Sequence, residues 1–412
     1  MSELSRSDAR RVIETIGSSG TPPIWGFQNF TVGLEPYLDI LESDYLEEYL
    51  AEGGATFKLL VGTYGGGKTH FLYSLRALGW QHGYPVAYVP LSADESPFHR
   101  LDRVYAALVR SLMLPVGSSK DLKDSERGFL PILKIWMERL REEVRSEGVA
   151  KGEQLDEIIR RAARRVEGIE SLQMQKALVQ ALEALGRGRS DDLSELLQWL
   201  SAQGYSRTTH RRFGLLHGIN KSVALQMLRS LSQWIRVVGF PGLCVLFDEA
   251  EQVPSLSTKQ RDALLSNLRE LIDECGHHHF QGVMMVYAVP DETFFEGRSS
   301  VYEALNQRIA SVFEVFNPTG VKIRLDELGL EPLPLLHQLG VRLAEVYRIA
   351  YRCKVPAADA AVESVARAAY EQRFGDIGYK RLFVQAWIRA LHLLRAGAAT
   401  EIDIEQARKL VQ

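Results

Sequence analysis

The sequence has little that would anchor the protein in a membrane, cross-link it or draw it as a whole onto nucleic acid. No apolar run approaches the ~18–20 residues of a bilayer span. Met1 to Arg11 is polar and charged where a secretory signal would be apolar, so a cytoplasmic protein is expected. The three cysteines, Cys244, Cys275 and Cys353, are far apart and form no Cys-x-x-Cys spacing. They read as reduced thiols, with Cys244 a small core residue inside an apolar run. The formal net charge of −3 supplies no chain-wide positive field, so any nucleic-acid surface has to be local. There is no internal repeat and no low-complexity tract. What remains is ordinary globular material: 412 residues, 46% hydrophobic and 25% charged. That length allows about two or three domains and a core that needs no metal or disulfide.

Periodicity divides the chain. Residues 1–54 read as a helical N-terminal arm: a short helix Ser7–Ile16, a break over Gly17–Pro23, the aromatic segment Trp25–Phe30, and a second helix from about Leu34 to Ala51. Phe57–Val61 is nearly continuous apolar sequence between glycines, as expected of a strand buried on both faces of a parallel sheet. Lys68–Leu78 follows with apolar residues at helical spacing (Phe71, Leu72, Leu75, Leu78), and Gly79 is placed to cap it. Val86–Leu91, Leu243–Phe247, Val283–Val289 and Val321–Leu325 are further strands. Helical patterns separate them, including Val223–Val238, closed by Gly239, and a helix opened by the capping-box spacing Ser257–Gln260. Strands alternating with helices argue a parallel α/β sheet with right-handed crossovers. The stretch from about 100 to 220 is helical in pattern without strand signals, an expected insertion in a core spanning 55–325. Residues 326–412 are helical, a C-terminal lid with one break at Val355-Pro356.

Two motifs carry chemistry. Gly62-Thr63-Tyr64-Gly65-Gly66-Gly67-Lys68-Thr69 fits Gly-x-x-x-x-Gly-Lys-[Ser/Thr] between a strand and a helix, the context that gives the pattern meaning. Glycines let backbone N–H groups converge on phosphate oxygens without Cβ clashes. The helix behind them points its positive end at the same anions. Lys68 is expected on the β- and γ-phosphates of ATP and Thr69 on Mg²⁺, with His70 directly behind the loop. The bland alternative is a chance glycine-rich turn. Leu243–Phe247 then delivers Asp248 and Glu249 to the C-terminal end of a strand, where ligands bind in open α/β sheets. Asp248 is the expected holder of the Mg²⁺ shell and Glu249 the group that polarises water; alone, the pair would also suit two helix-capping acids. Glu251 is a spare carboxylate nearby.

On these residues the chain resembles the AAA+ superfamily. The fold this implies is an α/β P-loop NTPase: a five-stranded parallel sheet flanked by helices, with a helical insertion and an all-α lid. The resemblance makes Asp248-Glu249 a Walker B pair and puts a sensor-1 residue at the end of Val283–Val289. That family usually has Asn, Thr or Ser there, and this sequence offers Asp291 or Thr293. It also implies that Arg308, in Ala304–Ile309, is an arginine finger for a neighbouring subunit, and that Arg381, in Gly378-Tyr379-Lys380-Arg381, is the sensor-2 arginine. A surface arginine and a helix-start arginine are the plainer readings. Arg10–Glu14, Phe30–Gly33, Val61–Leu72 and the run from Leu228 through Pro241 to Glu251 are similar to the ATP-binding proteins of BREX-type phage-defence islands. This resemblance covers 1–100 and 225–325 best. It implies a homo-oligomeric ATPase working beside defence proteins such as a helicase.

Other clusters are weaker. His277-His278-His279 beside Cys275 cannot share one helical face, and a loop is the simpler reading than a metal site. Arg160, Arg161, Arg164 and Arg165, and then Arg207, His210, Arg211 and Arg212 flanked by Tyr205 and Phe213, could track DNA phosphates or be solvated helix faces. Trp25, Gly26 and Phe27 precede the sheet, where adenine contacts or plain packing are both open. A superfamily-2 helicase would need a second RecA-like domain, which the helical tail does not supply. A non-motor ATP switch that signals to a partner stays as the alternative to a motor.

Overall fold

A computed structural model of the 412-residue chain describes residues 4–250, 256–291, 300–327, 331–355, 358–374 and 378–412. Six strands form one sheet: β1 (Ala55–Val61), β2 (Val86–Pro90), β3 (Leu112–Met113), β4 (Leu243–Asp248), β5 (Val283–Val289) and β6 (Lys322–Arg324), in the spatial order β3-β2-β4-β5-β1-β6. All neighbours are parallel except β2 and β3. The expected five strands therefore become six. The addition, Leu112–Met113, lies in the stretch read as wholly helical, because two residues are too few to show a period.

Strand parity sorts the side chains. In β4, Leu243, Val245 and Phe247 enter one core with Val283, Met285 and Tyr287 of β5; Cys244 and Leu246 enter the opposite core with Met284, Val286 and Ala288. Every residue of β4 and β5 is buried, which is why these strands read as continuous apolar runs. The face of Cys244 and Leu246 is covered by the helix Lys68–Gln81, through Phe71, Leu72 and Leu75, and by the arm segment Leu38–Leu50. Gly79 does not end that helix as expected. It lies inside it, where an added Cβ would meet Val86 Cγ2 at 3.2 Å and Cys244 Sγ at 3.4 Å, so glycine lets the helix seat against β2 and β4. The helix instead stops at His82, ahead of Gly83 in a left-handed turn.

The opposite face carries the helices of residues 101–238. Trp136, Trp199 and Trp234 are fully buried there, and Phe129 stacks on Trp234 at 5.1 Å. This region shares one continuous apolar core with the sheet. The expected capping box at Ser257–Gln260 and the Gly239 cap are both present.

The N-terminal arm is divided between two cores. Helix Arg6–Ser19 buries Ala9, Val12, Ile13 and Ile16 against the C-terminal helices Pro332–Tyr351 and Tyr379–Ala396, in a core that Ala358–Glu371 completes. Leu38–Leu50 belongs to the sheet. It begins as an α-helix over Glu35–Ile40 and widens to i→i+5 bonding over Leu41–Tyr49, as in Leu50 N–H to Tyr45 O at 2.9 Å. The chain's first helix is thus a wall of the lid. Pro356, in the expected break, lies outside the described residues. Among the described residues no helix is long and apolar enough to cross a membrane.

Ile13 is 1% exposed, so Ile13→Ala is expected to destabilise the protein by about 2–5 kcal/mol, read as a lower denaturation midpoint; an unchanged midpoint would show that the first helix is not part of the lid core.

Candidate functional site

The turn after β1 runs through Gly62–Gly67 with Gly65 at φ 76° and Gly67 at φ 106°, conformations that glycine adopts without penalty. Gly67 precedes the helix Lys68–Gln81, so the first free N–H groups of that helix open onto the loop. The Lys68 side chain is buried and its ammonium donates to Gly62 O at 2.9 Å and Thr63 O at 3.4 Å. Parity places Asp248 on the face of Cys244 and Leu246, the face carrying this helix. Thr69 Oγ1 donates to Asp248 Oδ2 at 2.7 Å, joining the two motifs across 179 positions of sequence.

Asp248 is 1% exposed and fully engaged. Its Oδ2 also accepts from the Tyr88 hydroxyl at 2.6 Å, and its Oδ1 accepts from Glu249 N–H at 2.8 Å. Burial, with Asp248 next, pushes the Tyr88 hydroxyl pKa far up, so Tyr88 stays a donor. Glu249 turns out of the strand at φ 60°, a left-handed conformation costly for a non-glycine residue and concentrated at functional sites. The oxygens of Thr69 and Asp248 are hard donors that suit Mg²⁺.

The C-terminal helices pack against the loop. Gly378 N–H donates to Tyr64 O at 2.9 Å, and a Cβ at Gly378 would stand 2.4 Å from that oxygen. Arg381 Nη1 donates to the Tyr64 hydroxyl at 2.5 Å, its Nε to Ser19 O at 2.9 Å, and its guanidinium lies over the Tyr64 ring. Lys380 reaches further in: its ammonium donates to Gly66 O at 3.2 Å, and burial lowers its pKa against the smaller opposing pull of Asp326. Loop and lid share a cavity of about 130 Å³, floored by Gly65–Gly67 and walled by Ile16, Phe30, Leu339 and Val384. His70 borders it, bonded through Nε2 to Thr31 Oγ1 at 2.8 Å and set against the Phe27 and Phe30 rings. Burial, then Lys380, drives the His70 pKa down to about 4.

Of the sequence-derived candidates, the structure gathers Gly62, Thr63, Tyr64, Gly65, Gly66, Gly67, Lys68, Thr69, His70, Asp248, Glu249 and Arg381 around this region. Trp25 and Gly26 are not with them. They border a separate cleft with Arg76 and Trp80, because the left-handed turn at Gly26 (φ 85°) directs Phe27 and Phe30, rather than Trp25, toward His70. Arg308 sits on the helix Ser300–Ile309 in a two-pronged ion pair with Asp273, at 2.8 and 3.3 Å. Glu251 and Thr293 lie outside the described residues. Tyr88, Phe30 and Lys380 were missed. The only signal for Lys380 was its place beside Arg381, and Tyr88 had none beyond its position near the end of a strand.

Fold and family agree on the class, an ATP-binding protein with a mixed α/β fold built on a mostly parallel sheet. The family model described as BREX system ATP-binding protein BrxC/D matches residues 4–409, and the chain belongs to that family. Searches of curated proteins and of solved structures gave no match.

His70 has a lowered pKa in the folded state, so the fold binds fewer protons than the unfolded chain. The stability this gives is present above pH 6.5 and is lost as pH falls from 6.5 toward 4. Between pH 7 and 4 the wild type should lose about 1–3 kcal/mol more than His70→Gln, which cannot titrate. Parallel denaturation curves at the two pH values would contradict this.

Proposed function

We propose that the Gly62–Thr69 loop and the end of β4 form an AAA+-type, Mg²⁺-dependent ATPase site, and that the protein acts as an oligomeric motor or loader beside DNA-processing partners in phage defence. The observation that carries this reading is the 2.7 Å contact between Thr69 and Asp248 beside a glycine-lined helix N-terminus. The loop amides and Lys68 hold the triphosphate. Thr69 and Asp248 hold Mg²⁺, which when bound neutralises charge on the β- and γ-phosphate oxygens. Tyr88 and the Glu249 N–H fix the Asp248 carboxylate in place. Glu249 orients and polarises the attacking water. The base fits the cavity walled by Phe30, Leu339 and Val384, rather than a stack on Trp25. Lys380 and Arg381, both docked on the loop, carry the state of the site to the lid and through it to the first helix.

One observation favours the second reading, an ATP-dependent switch without motor action: Arg308 is held by Asp273, so its service as a finger to a neighbouring subunit requires that pair to open. Several arginines of the basic groups in residues 100–220 are also engaged at home. Arg161 binds Glu147 and Glu157, Arg165 binds Glu143, and Arg212 binds Asp192 at 2.8 Å, which leaves these arginines a weaker track for DNA than their spacing suggested.

Lys68→Ala should weaken ATP binding by about tenfold or more in calorimetry. Glu249→Gln should keep wild-type affinity while turnover falls about 100-fold or more. Hydrolysis that survives Glu249→Gln at the wild-type rate would remove Glu249 from the chemistry.

A further inference from the structure

A wide cleft separates the N-terminal segment from the β2–β3 edge of the sheet. Its larger part encloses about 940 Å³; a second part of about 620 Å³ shares Ile24, Trp25 and Arg76 with it. Five cations (Arg11, Arg76, Arg110, Lys123, Arg127) and two acids (Asp8, Glu95) border the larger part. Both acids are matched, Asp8 by Arg11 at 3.1 Å and Glu95 by Arg110 at 3.3 Å. Arg76, Lys123 and Arg127 have no acidic partner among the described residues. In a chain of net charge −3 this is a local excess of positive charge.

Arg76 marks the cleft as more than a solvated rim. It is 6% exposed, lies 4.2 Å from the Tyr73 ring centre and 4.9 Å from that of Trp80, and donates through Nη2 to Ile24 O at 2.7 Å. Its Nε is buried without a hydrogen-bond partner. A buried guanidinium normally finds a carboxylate or another anion; here burial lowers the Arg76 pKa against the smaller opposing pull of the Tyr73 and Tyr88 hydroxyls, and the like charge of Arg127 adds to the lowering. An anion in the cleft would relieve both. Half-buried Trp25 and exposed Ile24 supply an apolar and aromatic wall beside the cations, the combination that binds phosphates and stacks bases together.

We propose that this cleft binds single-stranded nucleic acid, with phosphates on Arg76, Lys123 and Arg127 and a base against Trp25. The two joined parts favour a strand over a single nucleotide. The surface is distinct from the arginine-rich helices of residues 154–166 and 207–213. Tyr88 lines the cleft and bonds Asp248 through its hydroxyl, so one side chain separates the two sites. The proposal does not depend on whether ATP is hydrolysed.

The test is fluorescence anisotropy of a labelled oligothymidylate of about twenty nucleotides on the full chain, alongside the double variant Lys123→Glu/Arg127→Glu. Both residues are exposed, so the fold should be kept. Three phosphate contacts predict a log K against log salt slope of about −2, and the double variant should bind about tenfold or more weakly with ATP affinity unchanged in calorimetry. No oligonucleotide binding, equal binding by the double variant, or thymidine monophosphate binding as tightly as the strand would each overturn the proposal. The ATP measurement on wild type separates such an outcome from failure of the ATPase reading.

Discussion

The hydrogen bond from Thr69 to Asp248 is the constraint on which the site depends. It requires β1 and β4 to end at the same edge of the sheet with only β5 between them, and it requires Asp248 to fall on the even-parity face of β4. A one-residue slip of β4 would turn Asp248 toward the Phe247 side and bring the wrong side chain to Thr69. Complete burial of β4 and β5 prevents that slip, since each position packs against a different core. The apolar sequence of these strands therefore does more than fill volume; it sets the angle at which a carboxylate meets a hydroxyl.

The C-terminal helices contact the same loop from the other side. Gly378, Lys380 and Arg381 touch Tyr64 and Gly66 through hydrogen bonds, and the lid core includes the first helix of the chain. A shift of the loop on nucleotide binding has a short route into helices from both ends of the sequence. In the proposed ATPase the half-buried Lys380 ammonium is the sensitive part of that route, because desolvation disfavours its charge unless an anion comes near.

Contiguous features were legible in the sequence. The glycine-rich loop, the acid pair and five of the six strands announce themselves within a few residues, since strand burial and loop chemistry are local properties. What depends on distant partners was not. Tyr88 acquires its role only when β2 lies beside β4, and Phe30 only when the arm folds back on His70. Gly79 reads as a cap until two strands are packed against it. The arginine-rich helix 154–166 looks like a nucleic-acid stripe until Glu143 of the preceding helix and Glu147 at its C-terminal cap come into place. Trp25 lines a different cleft because one glycine turn decides which aromatic faces the loop.

The most direct measurement is ATP affinity by calorimetry with Mg²⁺ present and chelated, in the wild type and in Asp248→Asn. If Thr69 and Asp248 hold the ion that accompanies the nucleotide, chelation weakens binding to the wild type and has little further effect on the variant. An equal response to chelation in both proteins would contradict the account.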